Sequence, residues 1–198
     1  HHKRFFTFHN KKRPYIILKW AESLDGFIAP KFKNEKKPVW ISNKYSRQLV
    51  HKWRTEEQAI LVGTNTVIED NPSLSARDYK GKNPIRIVID RANKLDKSYS
   101  IFDDISKTII INNSIANFDK PLAKEICNVL YNKNITSVII EGGSTTIQTF
   151  ISENIWDEAR VFKGNVLLKK GLKAPVFNGK LIKEQKIKND ILKFYVND

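Results

Sequence analysis

Apolar residues in this chain come in short, dense runs. Tyr15–Leu18, Ala59–Val62, Ile85–Ile89, Thr108–Ile111 and Ser137–Ile140 are rich in Val and Ile and bounded by turn-forming residues. Such runs are too short for helices and lack polar alternation, the pattern of strands covered on both faces. Between them the periodicity becomes helical. Ser42 is the expected N-cap of a helix through about Arg54, with Tyr45, Leu49, Val50 and Trp53 on one side. Pro121 opens a second helix, in which Leu122, Ile126, Val129 and Leu130 form a stripe ended by Asn132-Lys133-Asn134. Cys127 lies beside that stripe and reads as core filler. A third helix is expected from about Ser144 to Ser152, with Ile147, Phe150 and Ile151 inward.

Alternating strands and helices imply right-handed crossovers and a largely parallel sheet. Towards the C-terminus, Glu158–Lys163, Leu181–Ile187 and Ile191–Val196 look like strands with no helix between them, an antiparallel ending. The expectation is an α/β fold of three layers, αβα, around one mixed, mainly parallel sheet. Residues 1–12, basic and carrying Phe5, Phe6 and Phe8, read as a linker or lead-in segment, and residues 13–198 as one domain.

Composition narrows the function. At 40% hydrophobic and 28% charged residues the 198-residue chain is of ordinary globular make-up. No apolar run approaches the roughly 18 residues of a membrane helix, and no signal-peptide pattern opens the chain, so a cytoplasmic protein is expected. It has no methionine, an initiator included, and is expected to be a fragment or a processed product. One cysteine can form neither an internal disulfide nor a zinc site, the four histidines lack metal-ligand spacing, and no metal is expected. The net charge of +14 favours anionic partners, either through a functional basic field or through lysines that merely solvate loops. Those lysines are spread through nearly every connection without a nucleic-acid motif, so nucleic acid is not the expected partner.

Ligands of open α/β sheets bind beyond the C-terminal ends of the strands, where four segments carry unusual chemistry. Glu141-Gly142-Gly143-Ser144-Thr145-Thr146 leads from a strand into a helix. Its glycines permit close approach of a ligand, and the helix start suits phosphate, although a plain structural turn would look the same. Glu141 follows a buried strand, where a carboxylate is costly unless it binds something. Asp90-Arg91-Ala92-Asn93-Lys94 offers a cation able to hold the 2′-phosphate of NADP, or is a plain surface turn. Lys19, after a strongly apolar run, needs a partner or a task, or is an edge lysine reaching solvent. The stretch from Gly63 to Arg77, with Asp70-Asn71-Pro72 in its middle, is very polar for a connector, though turn chemistry alone could explain Asp70 and Pro72.

Together, Arg13-Pro14-Tyr15, Lys19, Ser23-Leu24-Asp25-Gly26, Trp40-Ile41-Ser42, Arg54, the Val62–Arg77 stretch, Arg86–Asp90 and Glu141-Gly142-Gly143-Ser144 resemble, in order, the reductase domain of the bifunctional riboflavin-biosynthesis deaminase-reductase. The resemblance covers about Arg13 to Phe177. It implies a dihydrofolate-reductase-like fold, NADPH as hydride donor, a homodimer, and 5-amino-6-(5-phosphoribosylamino)uracil as the phosphorylated pyrimidine substrate. By position it assigns Ala21, Trp40, Thr66, Asp70, Arg91 and the Gly143–Thr149 turn and helix, with Ser144, Thr145 and Thr146, to the cofactor. It assigns Pro38, Arg54, Leu74, Arg77 and Glu141 to the substrate, with Lys19, Asp70 and Glu141 as the catalytic set. Pro38 stands where related sequences carry a small polar residue, and Arg91 where some carry serine. The family's N-terminal zinc deaminase, a candidate fusion partner, has no counterpart here, so reduction without deamination is expected. Two other readings are a reductase of the same fold acting on a folate or another pyrimidine, and a basic nucleic-acid-binding module.

Overall fold

A computed structural model describes residues 2–32 and 39–197. The five short apolar runs are strands: β1 (Tyr15–Glu22), β3 (Ala59–Gly63), β4 (Ile85–Ile89), β5 (Thr108–Ile111) and β6 (Ser137–Glu141). With β7 (Glu158–Lys163), β9 (Lys180–Ile187) and β10 (Asp190–Val196) they form one eight-stranded sheet in the order β5-β4-β3-β6-β1-β7-β10-β9. The strands from β5 to β7 are parallel, and β10 and β9 are antiparallel. The expected mixed sheet is observed, with one correction. β7 follows a helix and pairs parallel to β1, so the antiparallel ending begins one strand later than the sequence pattern suggested.

Alternation along β1 divides the core. Ile16, Leu18 and Trp20 face one apolar cluster, while Tyr15 and Ile17 face the other. Helices α4 (Leu122–Asn132) and α5 (Ser144–Ser152) cover the first cluster with Ile126, Leu130, Ile147 and Phe150. Helices α2 (Lys44–Glu56) and α3 (Thr64–Asp70) cover the second with Val50, Trp53 and Val67. Three layers result, because each face of a sheet buried on both sides needs its own cover. Cys127 is buried in the first cluster, and burial pushes its thiol up to about 12, which suits a core-filling role. No described helix is long and apolar enough to cross a membrane.

The elements missed by the apolar pattern are polar, very short, or paired across a long stretch of sequence. β1 continues four residues past Leu18 because β7 pairs with it out to Glu22. α3 is built of Thr, Asn, Val, Ile and acidic residues, with Val67 its buried residue. β2 (Phe27–Pro30) and β8 (Gly171–Lys173) form a separate small antiparallel sheet. The stretch expected as a linker or lead-in is helical over His2–Lys11, here α1. Phe8 stacks on Tyr131 with ring centroids 4.7 Å apart, and Arg4 Nε donates to the buried Glu57 at 2.7 Å. α1 thus packs beside the starts of the parallel strands.

At α2 the cap is Asn43 rather than Ser42. Its side-chain oxygen accepts from the backbone N–H groups of Tyr45 and Ser46, and its own N–H donates to Asp190 at 2.8 Å. The Ser42 carbonyl instead accepts from Arg47. Tyr45 is correspondingly outside the packed face, which consists of Ser46, Val50, His51 and Trp53. Asn43→Ala is expected to lower the unfolding free energy by about 1–2 kcal/mol, while Ser42→Ala stays within about 0.5 kcal/mol; urea unfolding of both variants measures the difference.

Candidate active site

Parallel pairing of β1 with β6 sets Lys19 beside Glu141. Two residues beyond Ile17 and Ile139, both side chains emerge on the sheet face that α2 covers, and α2 delivers Arg54 to them. Arg54 Nη2 donates to Glu141 Oε2 at 2.9 Å and Nη1 to the Ser75 carbonyl at 2.9 Å. Lys19 Nζ lies 3.8 Å from the same carboxylate oxygen. All three side chains are less than one-fifth exposed. β1 lies inside the sheet, so Lys19 is not an edge lysine reaching solvent.

Burial opposes every charge in this cluster, and pairing decides the outcome. Burial pushes the Glu141 carboxyl up, but the Arg54 guanidinium and Lys19 ammonium together hold it below the ordinary carboxylate range. For Lys19 burial prevails: its pKa is lowered, with Glu141 opposing the shift and Arg54 adding to it. The result is an ionised carboxylate held next to an ammonium that gives up its proton more readily than usual.

The cluster forms part of the wall of a cleft of about 670 Å³. Of the residues singled out from the sequence, Lys19, Ala21, Trp40 and Arg54 line it. So do Thr66, Asp70, Leu74, Arg77, Glu141 and Gly143. Leu74, at φ 53° and buried, sits on a loop that Arg86 fastens. The Arg86 side chain, 1% exposed, donates to the Ser73, Ser100 and Asp103 carbonyls and to the Asp103 carboxylate. Ser144, Thr145 and Thr146 form the first turn of α5 behind Gly143 and do not line the cleft. Arg91 stands apart from it as well. Past the end of β4 it spreads over Phe118 beside Asn113 and Asp119, more than half exposed. Pro38 lies outside the described residues.

The sequence reading overlooked Arg47 and His51, which also line the cleft. With Arg54 they follow the i, i+4, i+7 spacing of one helix face. A polar line along the packed side of an amphipathic helix was the available signal. Among the described residues, no group of three His, Cys, Asp or Glu side chains is placed to hold a metal ion.

Two strand-to-helix turns meet beside the cleft. Gly63 starts α3 and Gly143 starts α5, neither with a side-chain cap, and Gly143 N–H donates to Thr66 Oγ1 at 3.0 Å. A Cβ on Gly63 would come within 2.6 Å of Thr146 Oγ1. Helix starts without side-chain caps leave backbone N–H groups of the first turn suited to a phosphate.

A mainly parallel sheet with two helices on each face and a cationic cleft at the strand ends defines an α/β architecture, and its fold is that of the dihydrofolate-reductase class. Dihydrofolate reductase from Enterococcus faecalis, solved with NADP(H), superimposes with a TM-score of 0.60 over 93% of this chain and 97% of its own at 13% identity, a likeness of fold. Residues 14–195 match the RibD C-terminal domain, and the chain belongs to that family. It is 33% identical over 184 residues to the riboflavin biosynthesis protein RibD of Aquifex aeolicus, covering 85% of this chain and 51% of that protein. It is 29% identical over 183 residues to the 2,5-diamino-6-ribosylamino-4(3H)-pyrimidinone 5′-phosphate reductase of Archaeoglobus fulgidus, covering 79% of this chain and 82% of that one. The Thermotoga maritima deaminase/5-amino-6-(5-phosphoribosylamino)uracil reductase superimposes with a TM-score of 0.87 at 28% identity over 99% of this chain and 60% of its own. The chain thus spans about half the length of the RibD protein that it matches.

Arg54→Met is expected to destabilise the protein by about 3 kcal/mol at pH 7, because it strips a buried carboxylate of its closest partner. Glu141 has a lowered folded pKa, so its stabilising contribution is present above the unfolded value of about 4.3 and is lost as pH falls through the folded value. In the variant the carboxyl protonates more easily. The stability gap to wild type should therefore narrow on acidification from pH 7 towards about 4, as denaturant unfolding at stepped pH would show.

Proposed function

We propose that this chain uses NADPH to reduce 5-amino-6-(5-phosphoribosylamino)uracil to 5-amino-6-(5-phosphoribitylamino)uracil in riboflavin biosynthesis, as a cytoplasmic homodimer. The observation that carries this reading is the Lys19–Glu141–Arg54 cluster beside the uncapped Gly63 and Gly143 turns. Membership of the RibD C-terminal family and the reductase names of the matched proteins support it.

Ala21, Trp40, Thr66, Asp70 and Gly143 would hold the dinucleotide along the cleft, and the rest of the Gly143–Thr149 segment would back that wall. Arg91, standing apart beyond β4, would meet its far phosphate. The bound cofactor supplies hydride for the opened C1′ of the substrate's ribose. Everything else falls to the protein. Lys19, with its lowered pKa, releases a proton to the nitrogen that joins C1′ to the pyrimidine, where negative charge develops as C1′ is reduced. Glu141 keeps the ammonium aimed and, with Asp70, orients the opened sugar. Two Arg54 nitrogens already donate to Glu141 and Ser75, so its main work is to position Glu141. The exposed Arg77 at the rim, bonded to the neighbouring Ser73 hydroxyl at 3.3 Å, is the freer group for the substrate phosphate.

NADPH oxidation with the phosphoribosylamino-pyrimidine tests the reading. Wild type should turn over, and Lys19→Met should slow single-turnover hydride transfer by roughly two to three orders of magnitude while NADPH affinity survives. Near wild-type transfer by Lys19→Met at saturating substrate would remove Lys19 from the chemistry. Arg91→Ala should weaken NADPH by about ten-fold or more, the loss of one charge-assisted phosphate contact, and leave NADH little changed. Equal losses for both cofactors in a binding titration would show that Arg91 does not read the 2′-phosphate.

A further inference from the structure

We infer that His51 is a substrate-binding residue whose Nδ1 accepts a hydrogen bond from an N–H or O–H group of the bound pyrimidine substrate. This rests on the reading of the cleft as a pyrimidine-reductase site, and it concerns a group to which that reading gives no role.

His51 lies on α2 between Arg47 and Arg54, lines the cleft and is 4% exposed. Asp78 Oδ2 stands 3.2 Å from Nε2. A carboxylate there keeps the ring proton on Nε2, which leaves Nδ1 with a lone pair. That Nδ1 is shut off from solvent and has no partner. Native proteins seldom leave a buried acceptor unpaired, and the exceptions call for an explanation.

The pattern of such atoms supplies one. Five buried side-chain N or O atoms lack a partner among the described residues, and three belong to cleft residues: His51 Nδ1, Glu141 Oε1 and Arg54 Nε. The other two, on Arg86 and Arg160, belong to side chains outside the cleft. Two acceptors and one donor without partners therefore lie on cleft-lining side chains, buried beside the cleft. An amino-substituted pyrimidine carries the complement, with N–H donors and carbonyl or ring-nitrogen acceptors around its edge.

A histidine serves as an acceptor while it is neutral. The charged groups facing it are Arg54 on its own helix, Arg77 and Asp78 on the loop between α3 and β4, and Glu141 at the end of β6. Burial and the Arg54 charge hold its pKa below the ordinary value, against the pull of Asp78 and Glu141. At pH 7 the ring is neutral and the lone pair is available. Acidification would convert Nδ1 into a donor and remove the interaction.

The test compares His51→Leu, His51→Asn and His51→Gln in the full chain. Asn places an amide oxygen near the position of Nδ1, whereas Gln reaches towards that of Nε2 and Leu supplies neither. His51→Leu and His51→Gln should raise the substrate KM about ten-fold, with most of the loss in kcat/KM appearing in KM, while the NADPH Kd shifts by less than about two-fold. His51→Asn should recover KM to within about three-fold of wild type. In wild type, KM should climb as pH falls through the His51 pKa, and His51→Asn should lose that limb. The substrate phosphate titrates near pH 6 in both proteins, so the difference between their profiles belongs to His51. Equal KM values in wild type and all variants, or equal rises in Asn and Gln, would overturn the inference even if Leu failed to fold. A wild-type chain that does not oxidise NADPH with the pyrimidine overturns the functional reading itself, whereas an active wild type with indifferent variants overturns the role of His51 alone.

Discussion

Adjacent parallel strands place residues of matched register side by side, and in this protein that rule brings Lys19 against Glu141 at the upper end of the sheet. Much of the site follows from accommodating the pair. A carboxylate and an ammonium withdrawn from water need close partners. α2 supplies one as Arg54, which also ties the Ser75 carbonyl. Helix, strand ends and loop thereby become parts of one electrostatic assembly. Such clusters contribute little net stability, because desolvation consumes most of the attraction, and apolar residues of the same size would serve a core at least as well. Three charges persist where Leu or Ile could have closed the sheet, which marks this end of the fold for chemistry rather than for stability.

The rest of the scaffold keeps that assembly open on one side. Arg86, buried, gathers the loops carrying Ser73, Ser100 and Asp103, so that Leu74 and its neighbours stand as a wall. Asp90 does comparable work beyond β4, where its carboxylate accepts from the backbone of Lys94 and Leu95. Both are charged residues that fix the conformation of loops, which lack a ladder of their own to satisfy backbone groups. Gly63 at the start of α3 lets that turn pack against α5, with Thr146 filling the space that a Cβ would occupy. At the other end α1 rests on Tyr131 and Glu57, beside the strand starts and away from the cleft.

The net charge of +14 takes on meaning in this frame. In the lining of the cleft Lys19, Lys31, Arg47, Arg54 and Arg77 outnumber Glu69, Asp70 and Glu141, an excess that favours anionic ligands. The many remaining lysines are spread over connections and strand edges, β9 among them, where exposed charge also guards an unpaired edge against association.

How much of this was legible in the sequence differs from element to element. The five Val- and Ile-rich runs announced the buried strands, because a strand covered on both faces has no polar alternation to hide it. The apolar stripes of α4 and α5 announced those helices in the same way, and the ordered motifs from Arg13 to Phe177 carried the family. Lys19, Glu141 and Arg54 could each be singled out as misplaced charges. That they meet could not be read from their positions, since their convergence depends on the β1–β6 register and on the face of the sheet that α2 covers. The same limit explains the rest. Asn43 displaced Ser42 as a cap because Asp190, far along the chain, holds its backbone N–H; α3 formed with little apolar signature, and β2 and β8 pair across a long stretch of sequence; His51 became a cleft residue through the rotation of α2. Local pattern determined which segments would be strands and helices, since burial of a repeating face is a property of neighbours in sequence. The tertiary structure decided which charges share a site, since the partner that makes a buried charge tolerable comes from elsewhere in the chain.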